Sequence, residues 1–407
     1  LLFAGTETGI WVSFDDGAHW QSLQQNLPPT PVHDLVVKDN DIVVATHGRS
    51  FWVLDDISPL RQYGADISAA DAYFFKPDTA LRTDIGSGGA PRGGAPTAGQ
   101  NKPNGAVFYY WLKTAIKPPE KPAEGEGKEG EARSEGKRPA PPVTLEILDA
   151  QGKLVRKYPT PPPPGEEQEG GRRARPRNLP TEAGVNRFVW DLHYAEATTV
   201  PGAVLWGGNM EGPVVAPGSY TAKLTVEGKS YTQLFEVKLD PRVTTSQADL
   251  EKQLDLARKA HQRLDEMNRT INQIREVRRQ VQELTKRLDG DPRGKEIRDA
   301  AKQLDAKLTA VEDVLIQSKS KSNEDPLNYP VKLNNTMAEL VGVIESAPTA
   351  PTQQSYAVFD MLSAQLDEQL AKWKGILETD VPAFNDLVKK QDIPAVLLPA
   401  GKGGDKP

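Results

Sequence analysis

The 407-residue chain contains no cysteine. A disulfide framework and a thiolate metal site are therefore both closed to it. No apolar run reaches the roughly 18–20 residues that a membrane span needs. Positive charge is not in excess. The formal net charge is −6, whereas a general nucleic-acid binder is normally basic. Histidine is scarce. His19, His33, His47, His193 and His261 show no metal spacing such as H-E-x-x-H. His261 falls on the apolar stripe of a predicted helix and reads as a helix-packing residue. Glycine is plentiful, but the stretch 86–94 is flanked by Ala and Pro and lacks a strand-to-helix context, so it does not read as a phosphate loop. No cofactor, metal ligand or catalytic constellation is assigned.

The octapeptide Ser13-Phe14-Asp15-Asp16-Gly17-Ala18-His19-Trp20 stands out against these absences. It fits the pattern S-x-D-x-G-x-x-W at every fixed position. A short Asx side chain bonds its own turn backbone, which predicts Asp15 as a turn former. Gly17 supplies the positive φ of a tight turn, and Trp20 supplies an apolar face for packing. The flanking segments repeat. Leu2-Phe3-Ala4 followed by Ile10-Trp11-Val12 matches Val43-Val44-Ala45 followed by Phe51-Trp52-Val53, with Trp11 and Trp52 41 residues apart. Propeller blades repeat at roughly 40–50 residues. Residues 1–57 are therefore expected to be the last blades of an incomplete β-propeller, and the chain the C-terminal part of a longer protein.

Residues 58–105 read as a crossing segment followed by a Gly- and Pro-rich linker. A second β unit is predicted over 106–241, with strands at 107–112, 143–148, 154–158, 187–192, 220–226 and 231–239. It is interrupted by charged, proline-rich inserts at 117–142 and 159–180, which are expected to be disordered. From Thr244 the apolar period becomes helical. Ser246 and Asp249 resemble a capping box. Two stripes, Leu250 to Leu288 and Ile297 to Leu315, separated by Gly290-Asp291-Pro292, predict an antiparallel, coiled-coil-like hairpin over 244–322. A further helical segment over 328–392 is predicted to pack on that hairpin through Tyr356, Phe359, Leu362, Leu366, Leu370, Trp373 and Leu377. Asp380 is a candidate cap for a last short helix. Residues 393–407 read as a disordered tail. The fold class is thus multidomain β plus α: a propeller end, an Ig-like β-sandwich and a C-terminal helical hairpin or bundle.

The box, the 41-residue repeat and the stretch Thr46-His47-Gly48-Arg49-Ser50-Phe51-Trp52-Val53-Leu54-Asp55-Asp56 resemble the end of the BNR/Asp-box propellers, a sortilin-like and sialidase-like group. Asn186 to Asp191 and Ala216 to Val226 are similar to the Ig-like domain of the flagellar hook-capping type. The resemblance implies an exported bacterial protein, secreted or periplasmic, of a kind often labelled glycosyl hydrolase. It implies no catalytic residue here, because no position matches the paired carboxylates or the tyrosine nucleophile of such enzymes.

Three functional readings follow. The first is an accessory or scaffold region with a binding or supporting role. The second is part of a glycoside hydrolase whose catalytic carboxylates lie on blades N-terminal to this chain. The third is a sortilin-like propeller that binds peptides or proteins. In all three Ser13, Asp15, Gly17 and Trp20 are structural. His47 and Arg49, in a loop between predicted strands, and Trp206, in a long loop, are the candidate ligand-facing residues. Trp206 either stacks on a sugar ring or pins its loop. The expected partners are a carbohydrate or a protein or peptide ligand, with no nucleic acid and no transmembrane segment, and with self-association through the helices as a further possibility.

Overall fold

The computed structural model describes residues 1–83, 102–117, 142–160, 178–322 and 324–393. Residues 118–141 and 161–177 of the predicted inserts, 84–101 of the predicted linker and 394–407 of the predicted tail lie outside the described residues. The chain is mixed β and α and forms two compact units. One comprises residues 1–195 and 215–244; the other comprises 196–214 and 245–407.

The first unit begins with two three-stranded antiparallel meanders. β1 (Leu2–Thr6), β2 (Gly9–Ser13) and β3 (Gln21–Ser22) form one. β4 (Val32–Lys38), β5 (Asp41–Thr46) and β6 (Phe51–Leu54) form the other. Their alternation places Ile10 and Val12 of the first sheet and Ile42 and Val44 of the second in one buried cluster with Leu23, Leu27 and Ile57. The predicted repeat is imperfect in register. Ala4 pairs with Trp11 in the first hairpin, whereas Val44, not Ala45, pairs with Trp52 in the second.

After the short helices α1 (Ser58–Gln62) and α2 (Ala65–Ala69) come two facing sheets. One has the order β12-β9-β7, from β7 (Ala72–Phe74), β9 (Ala106–Leu112) and β12 (Gly184–Trp190). The other has the order β11-β10-β13-β14-β8, from β8 (Ala80–Arg82), β10 (Val143–Leu148), β11 (Leu154–Thr160), β13 (Gly218–Val226) and β14 (Lys229–Leu239). Strict alternation of buried residues along β9 and β13 gives each sheet an apolar inner face. Phe108 meets Phe235 at 5.2 Å, Trp190 meets Tyr220 at 5.9 Å and Tyr158 meets Phe188 at 4.7 Å across the gap. The β13–β14 hairpin turns on Glu227 and Gly228, both at positive φ, as a two-residue loop requires. Two boundaries differ from those read in the sequence. The crossing segment supplies the edge strands β7 and β8, and β11 runs through Pro159 and Thr160.

The second unit is helical: α3 (Gln247–Arg287), α4 (Gly294–Leu315), α5 (Leu333–Ile344), α6 (Gln353–Gly375) and α7 (Val381–Lys390), with a π turn at Ile376–Asp380 joining the last two. Ser246 caps α3 by accepting the Asp249 N–H at 3.2 Å. Asp380 makes no cap and instead pairs with Lys307 at 2.6 Å. The α3–α4 seam buries Leu264, Ile271, Leu288, Ile297, Leu304 and Leu308. The α6 face turned to this core carries Leu362, Leu366 and Trp373, while Tyr356 and Leu377 of the predicted stripe are exposed. Residues 196–214, read in the sequence as a loop of the second β unit, belong to this helical unit: Ala197 and Val200 are buried in its core.

Candidate functional site

The Ser13–Trp20 turn closes on itself. Asp15 accepts the His19 N–H at 2.9 Å on one oxygen and meets the His19 Nδ1 at 2.6 Å on the other. The Ser13 hydroxyl donates to Asp15 at 2.9 Å and accepts the Gly17 N–H at 2.8 Å. The backbone and ring bonds from His19 hold the Asp15 carboxyl down at about 2, against an ordinary 3.8. Gly17 sits at φ +95°. The Trp20 indole donates to the Gly17 carbonyl at 3.1 Å and remains 40% exposed, so it covers the turn and is not buried in the sheet. His19 is the residue the pattern could not supply, because it occupies a free position of the octapeptide.

His47, Gly48, Arg49 and Ser50 form the exposed β5–β6 turn. The turn is fixed through its backbone. The His47 N–H donates to Pro31 at 2.9 Å, the Thr30 hydroxyl donates to the His47 carbonyl at 3.2 Å, and the Trp52 indole donates to the Arg49 carbonyl at 2.8 Å. The His33 and His47 rings lie 4.9 Å apart. At the far end of β6, Asp41 pairs with Lys102 at 2.6 Å and accepts the Asp56 N–H at 3.0 Å. Burial pushes the Asp41 carboxyl up, but these bonds outweigh it and leave it below the ordinary value. Among the described residues Asp55 has no such bonds, and burial raises it. Asp56 accepts the Ser58 N–H at 3.0 Å and is a turn residue at φ +59°.

Trp206 lies elsewhere, in the 196–214 excursion on the helices. Asp265 of α3 accepts both the N–H and the hydroxyl of Thr198, at 2.8 and 2.7 Å. Asn268, Asn272 and Arg275 donate to the carbonyls of Thr198, Thr199 and Pro201. On α5, buried Asn335 accepts the Trp206 N–H at 2.8 Å and is itself oriented by Glu339 at 2.8 Å. Gly207 and Gly208 lie so close to α5 that a Cβ at Gly208 would stand 2.4 Å from the Ala338 carbonyl carbon. The backbone therefore does the pinning, and the indole is left 61% exposed. Asn335 and Glu339 were not recognisable in the sequence, since they stand about 130 residues from the loop they hold.

The candidate residues thus fall at separate places: the box turn and the His47–Arg49 turn in the β unit, and Trp206 in the helical unit. Among the described residues, no group of three or more His, Asp or Glu side chains is arranged to hold a metal ion, and no helix is long and apolar enough to cross a membrane. Comparison of the chain with protein-family models, curated proteins and solved structures gives no match.

Proposed function

We propose that this chain is a binding and supporting region of an exported β-propeller protein, with residues 1–57 as blade-type sheets followed in sequence by an Ig-like sandwich and a helical scaffold. One observation carries the reading. With Trp11 and Trp52 as repeat partners, Phe51 and Val53 stand where Ile10 and Val12 stand in the first copy. Ile10 and Val12 are 5% and 3% exposed, covered by the second sheet, whereas Phe51 and Val53 are 76% and 55% exposed. Sheets that repeat in this sense offer the same apolar face to the next member of a series, as propeller blades do. The Ig-like reading is supported by the buried Trp190 between the facing sheets and by the Tyr220 hydroxyl, which donates to the Ala216 carbonyl at 2.7 Å. These resemble the buried tryptophan and the tyrosine corner of that fold.

The functional contact in this reading is Trp206. A tryptophan side chain has only two rotatable bonds to order and so loses little conformational entropy on binding, and the flat indole face suits the C–H face of a sugar ring. The Asp box acts as a folding device, because both Asp15 oxygens are taken up by the turn. A glycan array probed with the chain and with Trp206→Ala tests this. The expected result is glycan binding that Trp206→Ala abolishes without changing the melting temperature. Capture of peptides alone would replace the sugar with a peptide ligand. Hydrolysis of aryl glycosides by this chain, lost in Asp55→Asn, would overturn the supporting role in favour of catalysis.

A further inference from the structure

β4 and β5 pair with a break in register. Val32 stands opposite Thr46 and Asp34 opposite Ala45, so His33 is an extra residue in the ladder. A bulge of this kind bends its strand and re-aims the side chain it carries. β5 ends at Thr46, and the next residue is His47. Two histidines distant in sequence therefore meet at one end of the sheet. Their ring centres lie 4.9 Å apart, with the ring planes inclined at 31°.

His47 is anchored through its backbone. Its N–H donates to the Pro31 carbonyl at 2.9 Å, and its own carbonyl accepts from the Thr30 hydroxyl at 3.2 Å. Both histidines are exposed, and the last torsion of an imidazole side chain is broad, so each ring can turn a nitrogen outward. His19, by contrast, has its Nδ1 engaged by Asp15 at 2.6 Å.

The spacing of the pair matches two imidazoles on one ion. A metal–nitrogen bond of about 2.0–2.1 Å places the centre of an imidazole about 3.2 Å from the metal. Two such ligands at about 90–110° to one another then have centres about 4.5–5.2 Å apart. The observed 4.9 Å falls inside that interval.

We propose that His33 and His47 form a two-histidine site for a divalent transition-metal ion, Cu(II) above all, with the remaining coordination positions open to water or to donor atoms of a bound ligand. Imidazole suits copper, zinc and nickel, and among the divalent first-row ions copper binds nitrogen sites most tightly. Calcium and magnesium require oxygen ligands. Two protein ligands do not close the four-coordinate shell of a structural zinc. The site depends only on the β4–β5 pair, so it stands apart from the Trp206 contact and from the propeller reading.

Titration of the untagged full chain with copper(II) chloride, read by calorimetry and by pulsed electron paramagnetic resonance, tests this. One saturable Cu(II) site bearing two imidazole nitrogens is expected, with no binding of Mg(II) or Ca(II) at the same concentrations. His33→Ala and His47→Ala should each leave one imidazole on the copper. Each should weaken binding by about tenfold or more, since even loss of a partner that only orients a ligand costs about 10–100-fold. His47→Phe keeps a ring beside His33 and removes only the donor nitrogens, so it should weaken binding as His47→Ala does while melting at the wild-type temperature. Absence of saturable Cu(II) binding by the wild-type chain overturns the proposal. So does binding that survives the double His33→Ala, His47→Ala substitution, which would assign the copper to His19, His193 or His261. Equal affinity for Ca(II) would also overturn it, and would assign the ion to carboxylates.

Discussion

Asp15 is held by three donors that lie within four residues of it, and this closeness sets how the turn responds to acid. Its carboxyl titrates at about 2 in the fold against an ordinary 3.8. A depressed acid contributes stability that is complete above its unfolded value and is lost as pH falls through the folded one. The melting temperature of the wild type should therefore exceed that of Asp15→Asn at neutral pH by an amount that shrinks between about pH 4 and pH 2. Thermal melts of both proteins across that range check this; a gap that stays constant down to the lowest pH would remove Asp15 from the turn's stabilising bonds. The 196–214 loop offers a second prediction at this scale. Gly208 is at φ +68° with no room for a Cβ against α5, whereas Gly202 is at φ +72° with open space around it. Gly202→Ala should cost only the left-handed strain, about 1 kcal/mol. Gly208→Ala should cost clearly more than about 1 kcal/mol, because the loop must also lift from the helix. Comparing the two denaturation midpoints separates strain from collision.

Among the elements, the helical hairpin is specified most strongly by local pattern. Apolar residues at steps of three and four along α3 and α4 need a partner, and a turn containing Gly290 at φ +81° returns the chain so that each helix meets the other. Leu304 is 4% exposed in this seam. Leu304→Ala should destabilise the helical unit by about 2–5 kcal/mol, and Leu304→Asp by more, since it leaves a buried charge without a partner. Urea denaturation read by far-ultraviolet circular dichroism measures both. At the far end of the seam Glu312 accepts from Arg275 at 2.7 Å and pairs with Arg278, and these bonds outweigh burial and hold its carboxyl below the ordinary value. The sequence pattern located the apolar stripes but not this ion cluster, because charged residues at helical spacing look the same whether they face water or a neighbour. The apolar stripe of α6 extends in sequence to Tyr356 and Leu377, which are exposed in the fold; the π turn at Ile376–Asp380 alters the helical phase just where Leu377 lies.

At the scale of the whole molecule the helical unit is discontinuous, since 196–214 arrives from between β12 and β13. Val215 N–H donates to the Leu192 carbonyl at 2.8 Å, so the two ends of the excursion stand side by side. A short Gly/Ser linker in place of 196–214 should therefore leave the β unit closed. It should lower the melting of the helices, although no helical residue changes. Burial of a valine such as Val200 alone is worth about 1.5–3 kcal/mol, and the bonds from Asp265, Asn268 and Asn335 would be lost with it. An unchanged helical transition in differential scanning calorimetry would show that the excursion is not part of that unit. This marks the line between what was legible and what was not. The Ser13–Trp20 turn, the strand alternation of β9 and β13, the Ser246 cap and the helical stripes were set by the sequence alone, because each depends on interactions within a few residues of one another. The addition of β7 and β8 to the facing sheets, the transfer of 196–214 to the helices and the exposure of Trp206 were decided only by tertiary structure. Each depends on groups far apart in sequence, such as Trp206 and Asn335 at 129 residues, for which local periodicity carries no signal.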